Sequence, residues 1–205
     1  MCSSDLGAGP VAVRSDLARF LPIPRVVEME GRYVLSEAFP ESIGRVMAFQ
    51  GHFSILVRAY SYIRAMGAEG LTQASRLAVL NANYIKERLK GVLQLAYDHP
   101  CMHECVFSDR DQQADGITTL EMAKRLMDYG YHPPTIYFPL VVHGAMMIEP
   151  TETETREDLD RFCETIKAIV REAKETPQSL KEAPSRCKVT RLDETKAARD
   201  LHLAG

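Results

Sequence analysis

The sequence has no tryptophan, no long apolar run and no excess of either charge. No apolar stretch approaches the roughly 18 residues of a membrane helix, so we expect no membrane span. The 25 basic residues nearly balance the 28 acidic ones, without a long basic patch, which argues against nucleic-acid binding. The 12 glycines and 11 prolines are too few for a collagen-like or low-complexity chain. The remaining composition, 45% hydrophobic, is that of a globular domain.

The five cysteines are odd in number and widely spaced, unlike the disulfide framework of a small secreted domain. The first six residues have neither the basic nor the apolar region of a signal peptide. We therefore expect a cytoplasmic protein with free thiols.

From residue 53 onward, apolar spacing and turn residues predict the element order α, α, β, α, β, β, α. Two helices lie between Phe53 and Gly91 with a stop at Gly67, and a third begins at a Thr118–Glu121 capping box. The predicted strands are 102–107, 135–140 and 145–148, and the last helix carries an apolar stripe made of Leu159, Phe162, Cys163, Ile166, Ile169 and Val170. This order predicts an α/β domain with helices on one face of a small, largely antiparallel sheet.

The segment before residue 53 is less regular. It predicts a short strand at 11–13, a short helix at 14–20 and a hairpin around Glu30-Gly31. The segment after Thr176 has few apolar residues, and we expect it to lie along a surface or to reach a partner.

Six carboxylates lie between Glu149 and Asp160. They suggest either a metal or acid–base site, or a helix N-terminus at which carboxylates offset the helix dipole, and the second interpretation is favoured. Thr151 and Thr155 are alternative caps for that helix. Glu149 precedes Pro150 and the helix, so a fixed partner is expected for its carboxylate.

Cys101, His103 and Cys105 alternate along a predicted strand and would share one face. A redox or metal sensor built on them is possible in principle, but the second ligand pair of a zinc site is absent, so we predict no metal site. His103 and Glu104 are instead candidate walls of a substrate pocket.

Gly51, His52 and Phe53 lie at a predicted helix start, where free N–H groups can bind a phosphate or be satisfied by an ordinary cap. His143 follows an apolar pair and is a third candidate pocket residue. No nucleophile–His–acid order, P-loop or dinucleotide-binding glycine fingerprint is present. Composition and spacing alone predict a soluble α/β domain with a pocket.

Nine ordered stretches carry a resemblance to a known family: GAGPV with LARFLP from Gly7, SIGR from Ser42, YIRAMGAEGL from Tyr62, LNANY from Leu80, MHE from Met102, DYGYHPPT from Asp128, IEPTETE from Ile148 and RLDE from Arg191. In this order they resemble the C-terminal part of glycine dehydrogenase (decarboxylating) subunit 2, the P-protein of the glycine cleavage system. The sequence departs from that family at His52, where asparagine is expected, and at Cys105, where an aromatic residue is expected.

The resemblance implies the C-terminal lobe of an aminotransferase-like (fold type I) enzyme dependent on pyridoxal phosphate (PLP). It implies decarboxylation of glycine and transfer of the aminomethyl group to the lipoyl arm of H-protein. It further implies a hetero-oligomer with P-protein subunit 1. Gly51, His52 and Phe53 are then candidate PLP contacts, and His103, Glu104 and His143 candidate substrate contacts.

The family's Schiff-base lysine follows a histidine, and no His-Lys pair occurs in the 205 residues. We therefore assign no catalytic residue and expect the chain to be a fragment that is inactive alone. The expected division is a non-family remnant (1–6), the end of the PLP domain and a linker (7–50), connecting helices (51–90), a small α/β domain (91–176) and a charged tail (177–205). The alternative is a non-catalytic module of the same fold that binds a partner subunit.

Overall fold

The computed structural model describes residues 9–48 and 51–200, and the chain forms two compact units, Met1–Gly67 and Ala68–Gly205. The remnant predicted at residues 1–6 lies outside the described residues. Helix α1 (Phe53–Leu89) begins in the first unit and is interrupted at Gly67, which has φ +63° and ψ −177°. Glycine adopts this positive φ at little cost, so the predicted pair of helices with a stop at Gly67 is confirmed.

The first unit contains a 3-10 helix (Ser15–Phe20) and an antiparallel hairpin of β1 (Arg25–Met29) and β2 (Arg32–Ser36). The φ values of Glu30 and Gly31 are +51° and +73°, as a two-residue hairpin turn with matching twist requires. The predicted hairpin and short helix are therefore confirmed.

The strand predicted at residues 11–13 is wrong, because this segment pairs with no strand among the residues the structure describes. None of the described residues of the first unit is buried. Val11, Leu17 and Phe20 are exposed by 75%, 46% and 37%, although they are apolar.

The second unit contains a four-stranded sheet of β3 (Gln94–Leu95), β4 (Cys105–Ser108), β5 (Thr135–Ile136) and β6 (Ala145–Ile148). The strand order is β3-β4-β6-β5, and every neighbouring pair is antiparallel. This confirms the predicted small antiparallel sheet.

The helices of the second unit are the remainder of α1 with α2 (Arg110–Gln113), α3 (Thr119–Asp128), α4 (Arg156–Glu175), α5 (Pro177–Lys181) and α6 (Glu194–Arg199). The predicted capping box of Thr118 and Glu121 starts α3. Of the two caps proposed for α4, Thr155 is the one used, since its hydroxyl accepts a hydrogen bond from the Asp158 N–H at 3.2 Å.

The core lies in the second unit, where one cluster of buried hydrophobic side chains joins the sheet to the helices. Strands β4 and β6 contribute Cys105, Phe107, Met146 and Ile148, and α4 contributes Leu159, Cys163, Ile166 and Ile169. The stripe predicted for the last helix therefore faces the core, with Phe162 and Val170 partly buried beside it.

Two predicted strands are shorter than expected. β4 begins at Cys105, three residues later than predicted; before it, the carbonyl oxygens of His99 and Cys101 accept from the side chains of Lys86 and Asn83 on α1. β5 ends at Ile136 because Tyr137 has φ +58°, and Pro139 has no N–H to continue the ladder.

Within the second unit, the segment after Thr176 packs against the preceding elements as far as Arg191. Leu180 and Ala183 are fully buried, and the Arg191 guanidinium donates to the carbonyl oxygens of both at 3.1 and 2.9 Å. Among the described residues, no helix combines the length and apolar character needed to cross a bilayer.

Candidate functional site

The antiparallel pairing of β4 with β6 determines which side chains meet at the ends of these strands. Cys105 pairs with Ile148, so the preceding Glu104 and the following Glu149 come together at one end. Ser108 pairs with Ala145, so Asp109 and Gly144 meet at the other end. Both ends contain residues that the sequence analysis singled out.

The first end groups His103, Glu104 and Glu149, whose possible ligand atoms all lie within 4.8 Å of one another. The His103 Nε2 is 3.5 Å from the Glu104 Oε1, and these side chains are 52% and 27% exposed. Glu149, for which the sequence predicted a fixed partner, has one. We call these three residues the His-Glu-Glu group.

A pocket of about 220 Å³ opens beside this group, and Glu104 is part of its wall. Its lining is mostly apolar and consists of Lys86, Leu95, Tyr97, His99, Pro100, Cys101, Met102, Glu104, Cys105 and Val106. The Lys86 side chain is almost fully buried, and its ammonium donates to the His99 carbonyl at 3.1 Å and pairs with Glu87 at 3.0 Å. The pocket wall therefore includes Glu104 and the buried Lys86 among mostly apolar neighbours.

The second segment of α1 holds the loops that carry the His-Glu-Glu group. The Asn83 side chain accepts from the Cys101 N–H at 3.0 Å and donates to the Cys101 carbonyl at 2.7 Å. Asn81, which is 8% exposed, donates to the carbonyl of Thr151 at 2.9 Å. The sequence analysis did not find these roles, although asparagine is unfavourable inside helices and so signals a tertiary partner.

The second end is built around Asp109, which is 2% exposed. Its carboxylate accepts from the N–H and the hydroxyl of Thr119, both at 2.9 Å, and from the Gln113 amide at 2.8 Å. His143 is exposed above it, with Nδ1 3.8 Å from the Asp109 carboxylate and 3.2 Å from the Gln113 amide nitrogen. The Ser108 hydroxyl donates to the His143 carbonyl at 2.7 Å and fixes its backbone.

Gly144 is required at this end. A Cβ built on it would lie 1.8 Å from the Asp109 Oδ1, and its φ is +56°. A side chain would therefore both collide with the buried carboxylate and strain the backbone.

The structure brings His103 and Glu104 together and separates them from His143. The two ends lie apart by the four-residue length of β4, about 13 Å. The role of all three in substrate binding stays a prediction.

The predicted phosphate contacts Gly51, His52 and Phe53 lie in the first unit, at the N-terminus of α1. The His52 carbonyl accepts the first helical hydrogen bond, from the Leu56 N–H at 3.0 Å, and Phe53 is 75% exposed. The first N–H groups of a helix have no intrahelical acceptor, so this terminus can meet an anion.

The cysteine sensor hypothesis has no structural basis. Residues 101–104 are not in a strand, and among the described residues the cluster suited to a metal contains neither Cys101 nor Cys105. Burial raises the pKa of both thiols, and it raises the pKa of Cys163 to about 11. Protonated thiols are poor metal ligands and nucleophiles.

Comparison of the sequence with known protein families identifies the family of this chain. Residues 74–189, more than half of the chain, match the model described as "Glycine dehydrogenase, C-terminal domain". The chain belongs to this glycine dehydrogenase family. Its match includes both ends of the β4–β6 pair and all of α3 and α4.

Two relatives carry the name probable glycine dehydrogenase (decarboxylating) subunit 2. The protein of Caldanaerobacter subterraneus subsp. tengcongensis is 58% identical over 194 residues and that of Oceanobacillus iheyensis 53% over 193. These alignments cover 95% and 94% of the chain but only 40% of each relative.

A crystal structure of glycine decarboxylase (P-protein) of the glycine cleavage system, in inhibitor-bound form, has the same fold. Its TM-score is 0.60 at 21% identity, over 77% of this chain and 38% of that one. The expected α/β lobe is confirmed.

Proposed function

We propose that the chain is the C-terminal part of a subunit 2 of glycine dehydrogenase (decarboxylating), the P-protein of the glycine cleavage system. The observation that carries this proposal is 58% identity over 194 residues to a relative of that name. The whole enzyme would decarboxylate glycine and pass the aminomethyl group to the lipoyl arm of H-protein. A non-catalytic module is not favoured, since the family and the relatives are named as dehydrogenases.

The proposed cofactor is PLP, which supplies an electron sink when the carboxylate leaves glycine as CO₂. The N–H groups at the start of α1 suit its phosphate, so Gly51, His52 and Phe53 would hold that end. Because the sequence has no His-Lys pair, we expect the chain alone to be inactive.

We assign the chain's own site residues to substrate binding. Glu104 lines the adjoining pocket and the His103 Nε2 lies 3.5 Å from the Glu104 Oε1, so this pair would contact a group held in the pocket. His143, with its backbone fixed by Ser108 and its ring beside Gln113, would meet substrate at a separate point.

The proposed partners are P-protein subunit 1 and lipoyl H-protein in a cytoplasmic hetero-oligomer. Apolar side chains on the first segment of α1 support an extensive interface. Phe53, Leu56 and Tyr60 are exposed by 75%, 52% and 65%, more apolar surface than a helix in water normally presents.

The test is a chimera in which this chain replaces the matching 40% of the Caldanaerobacter relative, assayed with subunit 1 and H-protein. We expect exchange of the glycine carboxyl with labelled bicarbonate. His103→Asn, Glu104→Gln and His143→Asn should each lower the rate about tenfold or more, since each removes a proposed substrate contact.

His132→Asn and Glu157→Gln, at exposed positions outside the candidate site, are the matched controls and should leave the rate within about twofold. Normal exchange rates in all three site variants would show that these residues do not take part in the reaction. A folded chimera without exchange would contradict the proposed function itself.

A further inference from the structure

The His-Glu-Glu group has the donor chemistry of a metal site. It offers one imidazole nitrogen and two carboxylate oxygens, all within 4.8 Å of one another. Mixed nitrogen and oxygen ligands of this type suit Zn²⁺, whereas Mg²⁺ prefers oxygen alone. The sequence analysis predicted no metal site because a second zinc-ligand pair is absent, and it could not have found this group, since Glu149 lies 45 residues from Glu104 and only the strand register unites them.

The spacing of His103 and Glu104 fits ligation better than direct hydrogen bonding. The His103 Nε2 and Glu104 Oε1 are 3.5 Å apart, longer than the 2.7–3.2 Å typical of an N–H···O hydrogen bond. Two ligands of a tetrahedral zinc ion, each about 2.0–2.1 Å from the metal, lie about 3.4 Å apart. A zinc ion therefore fits between these two atoms without a change in their separation.

The surroundings of the group hold its ligands in place and leave one side open. Asn83 fixes the backbone at Cys101, before His103, and Asn81 fixes the backbone at Thr151, after Glu149. Glu104 also lines the 220 Å³ pocket, so a fourth coordination position can be reached from there by water or a small oxygen ligand.

We propose that His103, Glu104 and Glu149 form a binding site for one zinc-type divalent cation, with its fourth position directed to the pocket. The inference is independent of the glycine chemistry, because it rests on the donor set and the strand register alone. It adds a metal site to a chain for which only PLP was expected.

The test is Zn²⁺ binding to the full 205-residue chain, prepared without a polyhistidine tag and stripped of metal, by calorimetry and by competition with a chromogenic chelator. We expect one Zn²⁺ per chain, not displaced by equimolar Mg²⁺. His103→Asn and Glu149→Gln should each weaken binding about tenfold or more, with unchanged far-UV circular dichroism.

His132→Asn and Glu157→Gln make the same chemical changes elsewhere and should bind as the unmodified chain does. Co²⁺ gives a second readout, since its tetrahedral visible absorption should be lost in His103→Asn. The proposal is overturned by an absence of saturable binding, by full affinity in both ligand variants, or by equal losses in the controls.

Discussion

At the scale of single residues, the sharpest constraint in the described chain is the contact between Gly144 and Asp109. The carbonyl of Gly144 accepts from the Thr119 hydroxyl at 2.6 Å, while the carboxylate of Asp109 occupies the space of a Gly144 side chain. One buried acid thus ties the end of β4 to the start of β6 and to the first turn of α3. This corner sets the position of His143.

Gly144→Ala should destabilise the protein by about 2–4 kcal/mol, combining overpacking with the strain of a positive φ. Gly130→Ala is the matched control, because Gly130 has φ +85° but no atom within 4 Å of an added Cβ. Gly130→Ala should lower the free energy of unfolding by only about 1 kcal/mol. Urea unfolding of both variants measures the difference, and equal losses would show that the contact with Asp109 is unimportant.

The sequence was a partial guide at this scale. It pointed to His143, because a histidine after an apolar strand is conspicuous, and to Glu149, because a carboxylate before proline is unusual. It gave no signal for Asp109. Burial of this carboxylate depends on hydrogen bonds from Thr119, ten residues away, and on its close contact with Gly144, and no local pattern contains these tertiary contacts.

At the scale of elements, the second segment of α1 acts as the support of the pocket. The side-chain amide of Asn83 bonds both the N–H and the carbonyl of Cys101. It thereby satisfies the two backbone groups that a neighbouring strand would otherwise satisfy. Tyr84 adds a hydrogen bond to Asp160 of α4 at 2.6 Å. The helix therefore fixes the loop before β4 through side chains.

Asn83→Ala should lower the free energy of unfolding by about 1–3 kcal/mol. It should also increase amide hydrogen exchange at Cys101, because the backbone groups of that residue lose their partners. Gln73→Ala changes an exposed amide on the same helix and should have little effect on either quantity. Protection at Cys101 that survives in Asn83→Ala would show that another contact holds the loop.

Periodic patterns predicted the long elements well and the short ones poorly. The capped helices α3 and α4 have amphipathic stripes, and the hairpin has its glycine turn, so local physics determines all three. The limits of β4 and β5 were wrong, since they depend on Asn83, Lys86 and the backbone of Tyr137. The division into five segments stays a prediction.

At the scale of the whole molecule, two carboxylates of α3 hold the C-terminal segment against the rest of the second unit. Asp128 accepts from the N–H groups of Ser185 and Arg186, both at 2.7 Å. Burial opposes ionisation of Asp128, but these N–H groups and Arg125 overcome it and hold its pKa below the usual value. In Glu121 burial is likewise outweighed, by hydrogen bonds from Thr118 and Arg191, and its pKa is also lowered.

These lowered pKa values predict acid lability. A carboxylate with a lowered folded-state pKa adds stability that is complete above its unfolded pKa of about 4 and is lost as the pH falls further. The Tm should therefore be level from pH 7 to about 5 and fall below about pH 4. Asp128→Asn should be less stable at neutral pH and show a shallower acid decline, and a Tm unchanged down to about pH 3 would contradict this assignment.

The sequence indicated the family from short stretches in order, but the composition after Thr176 concealed how residues 177–191 pack. The charged segment was expected to lie along a surface or to reach a partner, yet Leu180, Ala183 and Arg191 attach it to the core. A few buried residues among many charged ones are enough to hold a segment against the core. They are too few to produce a hydrophobic periodicity that the sequence analysis could detect.

The central claim is that this chain supplies the C-terminal part of a glycine-decarboxylating subunit. Its most direct test is the ratio of glycine–bicarbonate exchange rates between the chimera and the unmodified Caldanaerobacter enzyme, each saturated with PLP and assembled with subunit 1 and H-protein. We predict a ratio within about tenfold of one. A correctly assembled chimera that exchanges no more bicarbonate than subunit 1 alone would contradict the claim.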